Sequence, residues 1–175
     1  MKKLTTEELN RISPEEFKEK SKHPVVIVLD NIRSLNNVGS AFRTADAFMV
    51  DKLYLCGITG TPPHRDIQKT ALGAQETVEW KHYPSTLEAL EELKKEGYKL
   101  IAVEQTSGST MLQDFQCDKE EKIALVFGNE AFGVDDQVIE AVDMALEIPQ
   151  FGTKHSLNIS VTIGIVLWQY LQGVL

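Results

Sequence analysis

Three times in this chain an apolar run that reads as a strand gives way to a segment of glycine and small polar residues. Val25-Val26-Ile27-Val28-Leu29 is followed by Asn36-Asn37-Val38-Gly39-Ser40-Ala41-Phe42-Arg43. Ile123-Ala124-Leu125-Val126 is followed by Phe127-Gly128-Asn129-Glu130-Ala131-Phe132-Gly133-Val134. A strand ending near Ile148 turns at Pro149 and Gly152 and runs through Lys154-His155-Ser156-Leu157-Asn158-Ile159-Ser160 into an apolar helix. Small polar side chains placed where a strand stops and a helix starts face the rim of an α/β sheet, where backbone groups are free to hold a ligand. The fold is thereby narrowed to few architectures, and any chemistry is expected at that rim.

The rest of the chain fits this frame. Ser13-Pro14-Glu15-Glu16 has the capping-box pattern with proline at the first helical position, which predicts a short covering helix over 14–21. Strands are expected at 25–29, 52–56, 99–103, 122–127 and 144–148, with helices at about 38–49, 85–96, 135–142 and 156–173. Ser85 and Glu88 make a second capping box, Leu87, Leu90 and Leu93 face inward, and Gly97 ends that helix. The segment from Gly57 to Pro63 must be loop. The alternation argues for an α/β fold with a parallel sheet covered by helices on both faces. At 175 residues, 42% hydrophobic and 25% charged, one soluble domain with a sizeable core is the default.

The helix over 156–173 is apolar around most of its circumference, from Leu157 and Ile159 to Trp168, Tyr170 and Leu171. Such a helix is buried on all sides, in a core, a membrane or a subunit interface. Asn158, Ser160, Thr162, Gln169 and Gln172 leave no run of about 20 apolar residues for a membrane span. One face is therefore read as core and the other as a dimer contact. The N-terminus lacks the apolar stretch of a secretory signal, so a cytoplasmic protein is expected. Cys56 and Cys117 have no Cys-x-x-Cys pairing, which points to two buried apolar cysteines and no metal site. A Rossmann fingerprint, a P-loop and a Gly-x-Ser-x-Gly elbow are all missing, which removes three large enzyme classes.

In order and spacing, the three segments resemble the three motifs of the SpoU-type (TrmH-like) branch of the SPOUT superfamily, S-adenosylmethionine-dependent RNA ribose 2'-O-methyltransferases. The resemblance covers roughly residues 24–174, and Lys69-Thr70-Ala71-Leu72-Gly73-Ala74 is similar to family members as well. It implies an α/β-knot fold with a C-terminal trefoil knot after about Ala124. It also implies a catalytic domain over 24–175 behind a helical extension over 1–23. S-adenosylmethionine is the implied cofactor, with no metal. The implied partners are transfer or ribosomal RNA, with neither DNA nor a membrane, and a second copy that shares the active site through the C-terminal helix.

The candidate residues each carry two readings. Asn37 can be a helix N-cap, and Gly39 allows close approach of backbone or ligand. Arg43 falls about 150° from the centre of the stripe Val38, Ala41, Phe42, Ala45, Phe48 and Met49, so it points outward. By spacing alone it is a solvated arginine; by resemblance it is the family's catalytic arginine. A guanidinium is a poor general base, so a bidentate grip on the target nucleotide's phosphate is expected instead. Glu130 can orient Arg43, accept from a ribose hydroxyl, or merely cap. Ser156 and Asn158 can cap the last helix or act as the family's serine and asparagine pair. For the cofactor, Gly128 and Gly133 bracket one loop and Gly152 opens another, Ile148 and Leu157 wall the adenine, and Thr106 matches the remaining wall by position.

Charge opposes the RNA reading at long range, since the net charge is -8 and the pI about 5.0. The acidic residues, however, concentrate in 7–19, 88–96 and 114–121, while Arg33, Arg43, His64, Arg65, Lys69, Lys154 and His155 lie in or near the motifs. A local basic surface with weak overall RNA affinity is the expectation. The rivals are a catalytically idle RNA- or cofactor-binding relative and methyl transfer to another acceptor.

Overall fold

The computed structural model describes residues 1–174; Leu175, the last residue of the expected catalytic domain, lies outside the described residues. The elements in chain order are α1 (Pro14–Glu19), β1 (His23–Asp30), α2 (Leu35–Ala47), β2 (Val50–Cys56), α3 (Arg65–Ala71), β3 (Glu79–Tyr83), α4 (Thr86–Lys95), β4 (Lys99–Val103), β5 (Thr110–Met111), β6 (Ile123–Phe127), α5 (Asp136–Ala141), β7 (Met144–Glu147) and α6 (Ile159–Val174). Among the described residues the strands form one seven-stranded sheet in the order β3-β2-β1-β6-β4-β7-β5, with every pairing parallel.

Strand β1 shows why the sheet is doubly covered. Val25, Ile27 and Leu29 point into one core with Phe42, Leu53, Ile67, Ile163 and Tyr170, under α2, α3 and α6. Val26 and Val28 point into the other with Leu90, Leu93, Ala124 and Val138, under α4 and α5. All five are fully buried. At about 1.5–3 kcal/mol for each large aliphatic side chain, this run alone outweighs any single polar contact in the molecule.

Helix boundaries moved where two caps competed. Ser34 caps α2, its Oγ accepting from Asn37 N at 3.3 Å, so Asn37 lies inside the first turn and is not the N-cap. Helix α6 starts at Ile159, three residues after the expected Ser156. Asn158 supplies its first turn: Oδ1 accepts from Ser160 N at 2.9 Å, and its carbonyl accepts from Val161 N and Thr162 N at 3.0 Å each. Ser156 makes no such bond and lies exposed in the preceding loop. At α1 the capping box is complete, Glu16 N donating to Ser13 Oγ and Ser13 N to Glu16 Oε2, but the chain turns extended at Lys20 and the helix stops at Glu19. The box at Ser85 is half formed, since its hydroxyl rather than its backbone reaches the Glu88 carboxylate.

Three elements escape the sequence pattern, among them the two-residue edge strand β5, too short to carry any period. Strand β3, Glu-Trp-Lys-His-Tyr, is a charged sheet edge with little buried surface to give it a period. Helix α3 buries only Ile67 and Ala71. What seats α3 is Gly39, where a Cβ would overlap Thr70 Oγ1 and the Ile67 carbonyl; the close approach at Gly39 is therefore helix to helix, not helix to ligand. Cys56 is buried, and desolvation pushes its thiol up to about 12, as befits an apolar residue. Cys117 is half-buried against the core rather than enclosed. No helix among the described residues is long and apolar enough to cross a membrane.

Candidate active site

Strands β6, β4 and β7 are neighbours, so the loops leaving their C-terminal ends meet. They enclose a cleft of about 790 Å³ lined by Thr106 from the first loop after β4, Gly128 and Glu130 from the loop after β6, and Ile148, Ser156, Leu157 and Asn158 from the segment after β7. Its size is that of a cofactor site. Sheet order brings together residues that stand far apart in the chain.

Three polar ties hold the loops. Asp30, 1% exposed at the end of β1, accepts from Thr86 Oγ1 at 2.5 Å, Asn31 Nδ2 at 2.9 Å and Asp135 N at 3.0 Å. Asn31 next to it adopts a left-handed φ of 56°, which asparagine tolerates, and its carbonyl accepts from Asn129 Nδ2 at 2.6 Å. Glu104 accepts from Gln105 N at 2.8 Å and Val134 N at 3.0 Å, and Gln105 Nε2 donates to His155 O at 2.8 Å, so all three loops are linked. Gly128 completes the packing, since a Cβ there would overlap the backbone of Gly133 and Val134. Glu104 and Gln105 were missed in the sequence, where nothing marks a residue just after a strand as a loop tie.

Glu130 reaches the first motif, though not through Arg43. Its carboxylate accepts from Arg33 N, Ser34 N and Asn37 Nδ2, each at 3.0 Å, and so holds the N-terminus of α2 against the cleft loop. Burial raises its pKa, but the hydrogen bonds from Arg33, Asn37, its own backbone and Ser34 outweigh that effect and leave it below the ordinary carboxylate range. Asn37 in turn accepts from Asn158 Nδ2 at 3.4 Å, which joins the three motifs. Among the described residues no hydrogen bond or ion pair connects Glu130 to Arg43.

Arg43 is exposed, as its helical position predicted, and lines a separate groove of about 370 Å³ with Ser40, Thr44, Lys69, Thr70, Ser160 and Val161. The wall between groove and cleft is thin: Ser160 borders the groove, Asn158 borders the cleft, and Ser160 Oγ donates to Asn158 Oδ1 at 2.5 Å. The two sites differ in charge. The cleft is lined by Glu104, Glu130, Asp136 and Glu147 with no lysine or arginine, which suits a cationic ligand and opposes a polyphosphate. The groove holds Arg43 and Lys69 among hydroxyls with no carboxylate, which suits a phosphate. Helix α3, absent from the expected elements, is what brings Lys69 and Thr70 to it.

A parallel α/β sheet with an acidic, cofactor-sized cleft at its C-terminal rim and a basic groove beside it defines an open-sheet α/β protein with its candidate site at the strand ends. The chain belongs to the SpoU rRNA Methylase family, whose profile matches residues 24–168. It is 33% identical over 147 residues to the 23S rRNA (guanosine-2'-O-)-methyltransferase of Neisseria meningitidis serogroup B, covering 84% of this chain but only 58% of that relative. It is 28% identical over 163 residues to the tRNA (guanosine(18)-2'-O)-methyltransferase of Thermus thermophilus, covering 93% of this chain and 81% of that one. The fold matches the AdoMet-bound rRNA methyltransferase of Sinorhizobium meliloti with a TM-score of 0.81 at 24% identity, over 94% of this chain and 62% of the other.

Proposed function

We propose that residues 24–175 form the catalytic domain of an S-adenosylmethionine-dependent enzyme that methylates a ribose 2'-hydroxyl in transfer or ribosomal RNA. The observation that carries this reading is the division of charge: a carboxylate-lined cleft beside a groove with two cations that have no ion pair among the described residues, on a chain of the SpoU family. A sulfonium cofactor with an ammonium group is the right charge for the first, and an RNA phosphate for the second.

When bound, S-adenosylmethionine supplies an activated methyl on a positively charged sulfur. The chain's own part is alignment and proton handling. Ile148 and Leu157 offer apolar walls for the adenine, while the backbone of Thr106 and Gly128 offers donors and acceptors for its edge and ribose. Arg43, with Lys69 across the groove, grips the target phosphate and turns the 2'-hydroxyl toward the cleft, and the proton leaves to that phosphate or to water. Glu130 positions Asn37 and the start of α2, and through them the face that carries Arg43. Ser156 and Asn158 flank the boundary between the two sites.

The chain is further proposed to work as a cytoplasmic homodimer. Val161, Ile165 and Trp168 run along the outer face of α6 and are 50%, 37% and 52% exposed, an apolar stripe that a second copy would cover. Val161 also borders the Arg43 groove, so such a copy would complete the site. The chain after about Ala124 is proposed to be knotted as in the family. Residues 1–23 are proposed to act as a cover.

The test is incubation with methyl-labelled S-adenosylmethionine and unmodified transfer and ribosomal RNA, beside Arg43→Ala, followed by digestion. Label in a 2'-O-methyl nucleotide, lost in the variant, is expected. Cofactor binding with no transfer to either RNA would favour the idle relative.

A further inference from the structure

Five of the seven phenylalanines are buried or packed against the core, namely Phe17, Phe42, Phe48, Phe115 and Phe127. The other two, Phe132 and Phe151, are 87% and 95% exposed. Phe132, after β6, lines the cleft itself; Phe151, after β7, does not, but its chain neighbour Gln150 does. Folding gains nothing from leaving an aromatic ring in water, and the two most exposed rings both belong to loops that leave the C-terminal rim of the sheet beside the cleft.

The loop bearing Phe132 is closed on itself by hydrogen bonds. Asn129 N donates to Gly133 O and Gly133 N to Asn129 O, both at 2.8 Å, and Asn129 Oδ1 accepts from Ala131 N and Phe132 N. Phe132 therefore stands at the tip of a loop closed by its own hydrogen bonds. Phe151 lies in a loop with Lys154 and His155, both exposed. An aromatic ring followed within four residues by two side chains able to pair with phosphate is the composition of a single-stranded nucleic-acid contact, ring to base and cation to backbone.

We infer that Phe132 and Phe151 form a stacking platform at the mouth of the cleft that takes up unpaired RNA bases at the target site. This rests on the proposed RNA methyltransferase activity and adds to it the means of holding the nucleotide, which phosphate contacts in the Arg43 groove do not supply. Stacking is short-ranged and needs no net positive charge, so it would offset part of the long-range repulsion between RNA and a chain of net charge -8.

The experiment measures RNA affinity by filter binding, with an unmodified transfer RNA transcript and a single-stranded oligoribonucleotide as probes, for the wild type, Phe132→Ala, Phe151→Ala, the two tyrosine replacements and Lys154→Ala. Each alanine variant is expected to weaken binding about 5- to 150-fold, with tyrosine restoring most of it. The slope of log affinity against log salt should stay unchanged in the alanine variants, whereas Lys154→Ala should reduce it by about one unit. The thermal midpoint should hold in all of them, and S-adenosylmethionine affinity in Phe151→Ala and Lys154→Ala, whose positions lie outside the cleft lining. Wild-type-like RNA binding by both alanine variants overturns the inference while leaving the methyltransferase reading intact. A fall to monomer mass with alanine overturns it in favour of a subunit contact. Wild-type protein that binds neither RNA overturns both readings together.

Discussion

Replacing Glu130 by glutamine tests the claim that its charge, and not its contact with Arg43, is what the site uses. Three donors converge on the carboxylate at 3.0 Å each. Charge-assisted hydrogen bonds contribute about 1.5–3 kcal/mol each when buried. Glu130 is largely exposed, the two freed amides can rehydrate, and glutamine still accepts one bond, so the expected loss is only about 1–2 kcal/mol, or roughly 2–8 °C in thermal midpoint for a chain of this size. The sign with pH follows from the lowered pKa. The unfolded chain takes up a proton near the ordinary value of 4.5, the folded one only below it, so the stabilisation is complete above that value and is lost as pH falls through the folded pKa. Thermal unfolding of both proteins from pH 7 to pH 3.5 should show a gap that is constant down to about pH 5 and then closes. A gap that stays constant across the range, or widens in acid, would refute the charge argument. A variant with unchanged stability but the activity loss of Arg43→Ala would restore the direct pairing of Glu130 with Arg43.

Further outcomes follow from the same geometry. Asp30→Ala leaves three donors around a buried position without their acceptor and should cost about 3 kcal/mol, lowering the midpoint by roughly 6–12 °C in calorimetry. Gly128→Ala forces the loop after β6 away from Gly133 and Val134; calorimetric titration should show S-adenosylmethionine affinity reduced by about tenfold or more, with a stability cost of roughly 1–3 kcal/mol. Arg43→Lys keeps the charge but not the bidentate fork, so methyl transfer should fall by at least about tenfold with the midpoint unchanged, and rates near wild type would argue against the fork.

How much was legible in the sequence differs by element, for reasons that lie in periodicity. Strands β1, β4 and β6 announced themselves because burial on both faces demands an unbroken apolar run, here short and rich in β-branched residues as strands are. The caps at Ser13 and Ser85 were readable because capping is a contact over three residues. Edge strand β3 and helix α3 were not, since each buries too little to leave a pattern. Arg43 could be set on the outer face of its helix by angle alone, yet its partner in the groove, Lys69, belongs to a helix that sequence did not show.

Local chemistry along the chain thus determined the α/β class, the three rim segments and the residue types at the site. Those properties depend on neighbours within a few positions. Tertiary structure decided what those residues face: that sheet order β6-β4-β7 closes three loops on one cleft, that Glu130 bonds to Asn37 and the α2 N-terminus rather than to Arg43, and that carboxylates and cations fall into separate cavities. The hydrogen bonds that tie these loops together span 50 to 121 residues of chain, and closure over such lengths leaves no periodic trace in sequence.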